Sequence, residues 1–366
     1  MAKPRWAFIH PFQLRLRRGI ESYVWALTGA LADTGVDIDI LTWQGQLKSP
    51  DLNGRQIRLR TVPSVRYYQH IVAMPFYLGQ LLLNSYDHVF VNFADYGEGP
   101  ALRVLEPIKK VPFSVVFHFP PTVAPHRYRQ FERWRFPRDA THFIAVSNHV
   151  ANQVRDWSHR KCSVISNGVD TKRFRPDQAR REQSRASLGI APDADLLVTA
   201  AALEERKGIQ YLIEALPLVL KSFPNTCYLV LGEGRYRKEL ETLIGNLGLE
   251  RHVMLKGAVV DVEKYLCAAD IGLLLSREEA LGIAVLEYAA SSLPVVTSQE
   301  PPFDDFVHDD WGIRVNERDS QELVDVIKAL LADPVRRAMM GSAGRSWVET
   351  NYSWREVASD YRQLIN

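Results

Sequence analysis

Short, continuous apolar runs alternate along this chain with longer stretches whose apolar positions recur at helical spacing. Gly, Pro, Asn and Asp bound the runs, so they predict buried strands, and the stretches between them predict helices. Residues 6–10 predict a first strand, 10–20 a loop, 21–34 a helix closed by Gly35, and 36–41 a second strand. Further strands are predicted at 87–93, 111–118 and 142–147. Ser147 is placed to cap the helix that follows at 148–157. An Asn167-Gly168 turn and a polar stretch at 177–187 interrupt the rhythm. It resumes with strands at 196–200, 226–231, 252–256 and 271–275, separated by a loop at 201–208 and helices at 209–221, 235–247 and 261–269. Helices at 321–331 and from Pro334 lead to an amphipathic tail, 347–364, carrying Tyr352, Trp354, Val357, Tyr361 and Leu364.

Strand, helix, strand, run through twice, predicts two α/β domains, each built on a doubly wound parallel sheet. The 366 residues suit two such domains rather than one. A hydrophobic fraction of 46% and a charged fraction of 24% are ordinary for a globular protein. A net charge of +2 gives no bulk reason to expect nucleic acid. The most apolar stretch, 71–83, is too short for a membrane span and carries Pro75 and Gln80. Residues 1–5 lead straight into an apolar run without the pattern of a signal peptide. Cys162, Cys227 and Cys267 are an odd number without metal-ligand spacing, which fits a reducing cytoplasm. No Gly-x-Gly-x-x-Gly follows the first strand, which argues against paired dinucleotide-binding domains.

The densest chemistry lies around residues 273–296. An apolar strand is followed by Ser276-Arg277-Glu278-Glu279, then by a helix over 282–290 that is apolar nearly all round, and then by a strand at 293–297. A helix of that composition is normally buried. Glu287 sits in its middle, and a buried carboxylate needs a partner. That partner is either a lysine or arginine from elsewhere or the hydroxyls of a ligand. Glu279 lies just ahead of the helix, where the backbone N–H groups of Gly282, Ile283 and Ala284 are placed to meet a phosphate.

The spacing Glu279-x7-Glu287, with Gly282 between and Leu293-Pro294-Val295-Val296 after, resembles the retaining glycosyltransferases of family 4. Segment 201–208 resembles that family's Gly-Arg-Leu-x-x-x-Lys-Gly, and 167–176 resembles its Asn-Gly-Val-Asp-x-x-x-Phe-x-Pro. The resemblance implies a GT-B fold: two Rossmann-like doubly wound domains facing a central cleft. The boundaries would be an acceptor-binding domain at 1–168, with the tail 347–366 packing back on it, and a nucleotide-sugar domain at 169–346. It further implies that Glu279 contacts the donor sugar, Glu287 the ribose and Lys207 the diphosphate. His118, at the predicted end of a strand, would face the reacting carbon, and Gly19 would let a loop approach phosphate. From the residues alone, His118 is equally a packing histidine, Gly19 a simple turn and Lys207 a lysine at a loop end.

The chain departs from the family pattern at several points. Ala202 stands where an arginine usually shares the diphosphate, so Arg206 or Arg18 takes its place or the diphosphate is held more weakly. Ala280 replaces the usual glycine after the first glutamate, and Glu300-Pro301-Pro302-Phe303-Asp304-Asp305 replaces a Gly-Gly-x-x-Glu loop. The resemblance implies retention of anomeric configuration, a UDP- or GDP-type donor, and no metal or other cofactor. In keeping with the last, there is no His/Cys ligand cluster. The acceptor would be a glycan or a lipid-linked molecule. Arg15, Arg17, Arg18 and the arginine–aromatic run at 126–136 read either as solvated faces or as contacts with anionic headgroups. The expected location is the cytoplasm, with or without peripheral attachment to the inner face of the membrane. A nucleotide-sugar epimerase of the same shape, or a GT-B-like binding subunit without turnover, are the alternatives.

Overall fold

The computed structural model describes residues 3–13, 20–43, 57–62, 69–92, 101, 104, 108, 110–123, 125, 128, 129 and 140–365. The chain divides into two compact units. Unit 1 comprises Met1–Gly168 and Trp354–Asn366, and unit 2 comprises Val169–Ser353.

Unit 1 is built on seven strands: β1 (Arg5–Gln13), β2 (Asp37–Trp43), β3 (Ile57–Val62), β4 (His88–Asn92), β5 (Phe113–Phe117), β6 (His142–Ala145) and β7 (Ser163–Val164). Their order in the sheet is β3-β2-β1-β4-β5-β6-β7, and every neighbouring pair is parallel. β4 and β5 are buried at every position, as strands covered on both faces must be. Phe8 stacks on Phe90 with ring centroids 4.7 Å apart. The helix Trp354–Ile365 buries Val357, Ala358 and Tyr361, one stripe at helical spacing. Tyr361 joins the Tyr23 hydroxyl at 2.6 Å and sets its ring 5.3 Å from Phe90.

Two sequence expectations change here. β1 runs on to Gln13 rather than ending at residue 10. The predicted tail helix is split: Pro334–Asn351 belongs to unit 2 and Trp354–Ile365 to unit 1. The break at Tyr352-Ser353 is held by the chain's earlier crossing. The Val169 N–H donates to the Tyr352 carbonyl at 2.8 Å, and Val169 bridges Ser353 in parallel. Gly168 lies flat against the Trp354 indole, where an added Cβ would come within 2.7 Å. The outgoing and returning strands therefore cross side by side. The 71–83 stretch, read only as too short to span a membrane, is part of a helix, Gln69–Leu83.

Unit 2 repeats the plan with six strands: β8 (Leu196–Ala200), β9 (Cys227–Leu231), β10 (Val253–Gly257), β11 (Ile271–Leu274), β12 (Val295–Ser298) and β13 (Gly312–Val315). Their order is β10-β9-β8-β11-β12-β13, again parallel throughout. Leu197, Val230, Ile271 and Leu273 pack with Leu212, Leu216, Ile327 and Leu331 from the helices Ile209–Leu220 and Ser320–Ala332. The strand order reverses between β8 and β11. In open α/β sheets, ligands bind beyond the carboxyl ends of the strands at that reversal. The loops that leave β8 and β11 there are 201–208 and 275–282.

Candidate functional site

The loop after β8 closes in a short turn, Glu205–Lys207, ended by Gly208 at φ 70°. Gly208 lies so close to the β11 loop that a Cβ would meet the Leu275 carbonyl oxygen at 2.0 Å. The site needs glycine there, both for the left-handed backbone and for the approach. This contact sets Lys207 beside Glu279, and Lys207 Nζ pairs with Glu279 Oε1 in a largely buried ion pair. The Arg206 guanidinium is used within the same pair of loops. Its Nε donates to Glu204 Oε2 at 2.7 Å and its Nη1 to the Glu278 carbonyl at 2.7 Å.

Gly282 then opens the helix Ile283–Ala290 at φ 81°, with no side-chain cap. The Phe303 ring would lie 2.6 Å from a Cβ at Gly282, so only glycine keeps the entry to this helix open. Helical N–H groups at an uncapped start are donors without intrahelical partners. The helix is fixed in rotation by the residue after Glu287. The Ala200 N–H donates to the Tyr288 hydroxyl at 2.6 Å, and Gly272 lies under the Tyr288 ring. Arg345 holds the far end, donating to the Ala290 carbonyl and, at 3.0 Å, to that of Phe174.

Glu287 is partly buried. Among the described residues no hydrogen bond or ion pair reaches its carboxylate. Burial pushes its pKa up to about 7, with Arg173 opposing and Glu263 reinforcing the rise. Arg173 is itself engaged: it pairs with Glu263 at 2.7 Å and donates to the Val260 carbonyl at 2.9 Å. Of the two partners the sequence allowed for Glu287, the basic neighbour is therefore taken by another acid.

In unit 1, His118 lies just past the end of β5 and is buried. Its Nε2 is 3.0 Å from Asn92 Oδ1, at the end of β4, and the Tyr23 ring meets it edge-on at 4.6 Å. Gly19, Arg15, Arg17 and Arg18 lie outside the described residues, as does most of 126–136. Tyr128, within that run, is a core residue: it is buried beside Phe117 and Trp157 and donates to the Phe119 carbonyl at 2.6 Å. Among the described residues no group of His, Cys, Asp or Glu is arranged to hold a metal ion, and no helix is long and apolar enough to cross a membrane. A cavity of about 700 Å³ lies along edge strand β13, lined by Gln299, Arg314, Asp325 and Arg336, and includes none of the site residues.

The structure of HepE from Anabaena in complex with UDP-glucose superposes with a TM-score of 0.82 at 19% identity, covering 98% of both chains. That likeness establishes the fold as GT-B, the architecture of two Rossmann-like domains. The chain belongs to family 4 of the glycosyltransferases: residues 17–173 match "Glycosyltransferase Family 4" and residues 180–347 match "Glycosyl transferases group 1". It is 32% identical over 216 residues to the GDP-mannose-dependent monoacylated alpha-(1-6)-phosphatidylinositol monomannoside mannosyltransferase of Corynebacterium glutamicum, covering 57% of each chain. It is 29% identical over 236 residues to the lipopolysaccharide core biosynthesis glycosyltransferase LpsE of Rhizobium meliloti, covering 64% of this chain and 66% of that one. The matched region thus spans little more than half to two thirds of these relatives.

Spacing singled out Glu279, Gly282 and Glu287, and the family resemblance singled out Lys207; the structure brings Lys207 and Glu279 together as an ion pair. Sequence reasoning did not find Tyr288 or Arg345, which hold the helix carrying Glu287, nor Arg173, whose charge acts on that carboxylate. Each acts through a contact with a distant part of the chain, and no local pattern marks such contacts.

Proposed function

We propose that this protein transfers a sugar from a UDP- or GDP-sugar to a lipid-linked or glycan acceptor, with retention of configuration and without a metal. The observation that carries the reading is Glu287, an acid on the helix that follows β11, with no hydrogen bond or ion pair to its carboxylate among the described residues. Two hydroxyls of a ribose would satisfy it. The N–H groups at 282–284 and Lys207 would take the diphosphate, and Glu279 would turn from Lys207 to the sugar hydroxyls. When the bond from the anomeric carbon to the phosphate oxygen breaks, the electron pair leaves with the diphosphate. Lys207 and the helix start then stabilise charge that is larger in the transition state than before it. The acceptor hydroxyl attacks on the face the phosphate leaves, and its proton passes to the departing phosphate oxygen. By the family resemblance, His118 would serve the sugar and Gly19, which lies outside the described residues, the phosphate. Relatives named for phosphoinositide mannoside and lipopolysaccharide assembly support an amphiphilic acceptor. The enzyme would then work in the cytoplasm at the inner membrane face.

Thermal shift across a panel of UDP- and GDP-sugars tests the donor, with Glu287→Ala as the control that abolishes the shift. Nucleotide release that requires an added acceptor supports transfer; release without one points to an epimerase. Binding without any release points to a binding subunit. Activity should survive chelator treatment, and its loss would contradict the metal-free mechanism.

A further inference from the structure

The geometry points to Arg206 as a positioning residue that sets the distance between Lys207 and Glu279, rather than as a ligand of the diphosphate. The inference rests on the donor site proposed above. Arg206 meets the β11 loop at successive residues: its carbonyl accepts from the Arg277 N–H at 2.9 Å, the Ser276 hydroxyl lies 3.1 Å from the same carbonyl, and its Nη1 holds the Glu278 carbonyl. Glu204 fixes the guanidinium from the other side. Residues 206 and 278 are thus joined directly, and their next neighbours in the chain are Lys207 and Glu279.

The Arg206–Glu204 pair is about one third exposed on both sides, so its charge attraction adds little stability. What it supplies is direction. A guanidinium is a planar fork that can serve a carboxylate and a carbonyl at fixed angles, whereas an ammonium on a flexible stem cannot. In the proposed reaction, Lys207 takes the phosphate end of the donor and Glu279 the sugar end. A shift of about an ångström between them is enough to cost catalysis heavily. Nε and Nη1 are committed to these partners, so a diphosphate would have to be held through the remaining N–H donors alone.

Arg206→Lys keeps the charge and removes the fork; Arg206→Met removes both. As a positioning residue, Arg206 should give two variants that behave alike. Turnover of nucleotide sugar falls about tenfold or more, while affinity for the nucleoside diphosphate alone stays within about twofold of the parent. Amide exchange at residues 276–281 of the unliganded protein quickens in both variants. Glu204→Gln, which loosens the fork without touching Arg206, gives a smaller loss in the same direction and covers the case in which Arg206 variants fold poorly. Rescue of turnover by Lys together with weakened diphosphate binding in Met would make Arg206 a phosphate ligand and overturn the inference. So would unchanged exchange at 276–281. Failure of the parent protein to bind any nucleoside diphosphate is a separate result, which removes the donor site itself and leaves the exchange measurement to decide what Arg206 does to the loop.

Discussion

Unit 1 places Asp39 near the amino edge of its sheet and meets it with Arg5 at 2.8 Å, Arg58 at 2.6 Å, Arg60 at 2.8 Å and the Tyr86 hydroxyl at 2.7 Å. Unit 2 places Glu287 in the middle of the helix that follows β11 and gives it none of these. Burial pushes both acids up. For Asp39 the Tyr86 hydroxyl and the three arginines overcome burial and bring the pKa below its ordinary range, whereas Glu287 stays raised, at about 7. Glu279, with Lys207 as its single partner among the described residues, stands between them. A carboxylate with all its acceptor positions filled is framework, because no donor remains to be exchanged. One left with unused acceptor positions can still take donors from outside the chain. The number of partners, rather than burial, separates the two roles.

Removing the filled acid should have the largest effect. Asp39→Ala removes the shared counter-charge of three guanidinium groups, of which Arg58 keeps only the more distant Asp37, at 3.7 Å. The loss should be about 3 kcal/mol, below the cost of a fully buried pair because the arginines are partly exposed. Differential scanning calorimetry should show the melting of unit 1 reduced by roughly 5–10 °C, with nucleotide affinity of unit 2 unaltered. Its depressed pKa means that Asp39 contributes stability above the ordinary carboxylate range and loses it as pH falls through the folded value. The variant should lack that acid limb. An unchanged melting temperature would show that the four donors are a surface arrangement of no energetic weight.

The half-filled acid comes next. Lys207→Ala should lower turnover by well over tenfold, of the order of two to three powers of ten, with the global melting temperature nearly unchanged. It removes the cation from the leaving diphosphate and leaves Glu279 without its partner. Steady-state kinetics at saturating donor decide this, and a near-normal kcat would take Lys207 out of the reaction.

Much of this was legible in the sequence. Alternating apolar runs located the strands of unit 2, and the spacing of Glu279 and Glu287 singled out the candidate site, because backbone period and loop length are local properties. The Asp39 cluster was not legible. Arg5, Asp39, Arg58, Arg60 and Tyr86 lie on three strands and the loop before β4, which only the sheet order brings together. Nor was the use of Arg206, since a loop arginine beside Lys207 has the same sequence whether it faces a phosphate or the Glu278 carbonyl. The strand read as ending at residue 10 continues to Gln13 because β2 offers pairing partners as far as Trp43, a tertiary cause that propensity does not register.

The unfilled acid gives the smallest effect and the sharpest test, because its two consequences have opposite signs. Glu287→Gln keeps the shape and removes the charge. The donor KM should rise roughly tenfold, the order expected from losing charge-assisted hydrogen bonds to a ribose. The unliganded protein should become more stable by about 1–2 kcal/mol, since a charge held without a partner no longer has to be buried. The sign follows from linkage. A folded pKa raised to about 7 means that the native state binds the extra proton between the ordinary carboxylate range and that value. The parent should therefore lose stability as pH rises through this window, and the difference between parent and variant should grow towards pH 8 and vanish near pH 5. Over the same window, donor affinity of the parent should improve as the carboxylate forms. Chemical denaturation and donor titration at matched pH values measure both. A variant less stable than the parent at pH 8 would mean that Glu287 has a partner in the folded protein, and the distinction drawn from Asp39 would no longer hold.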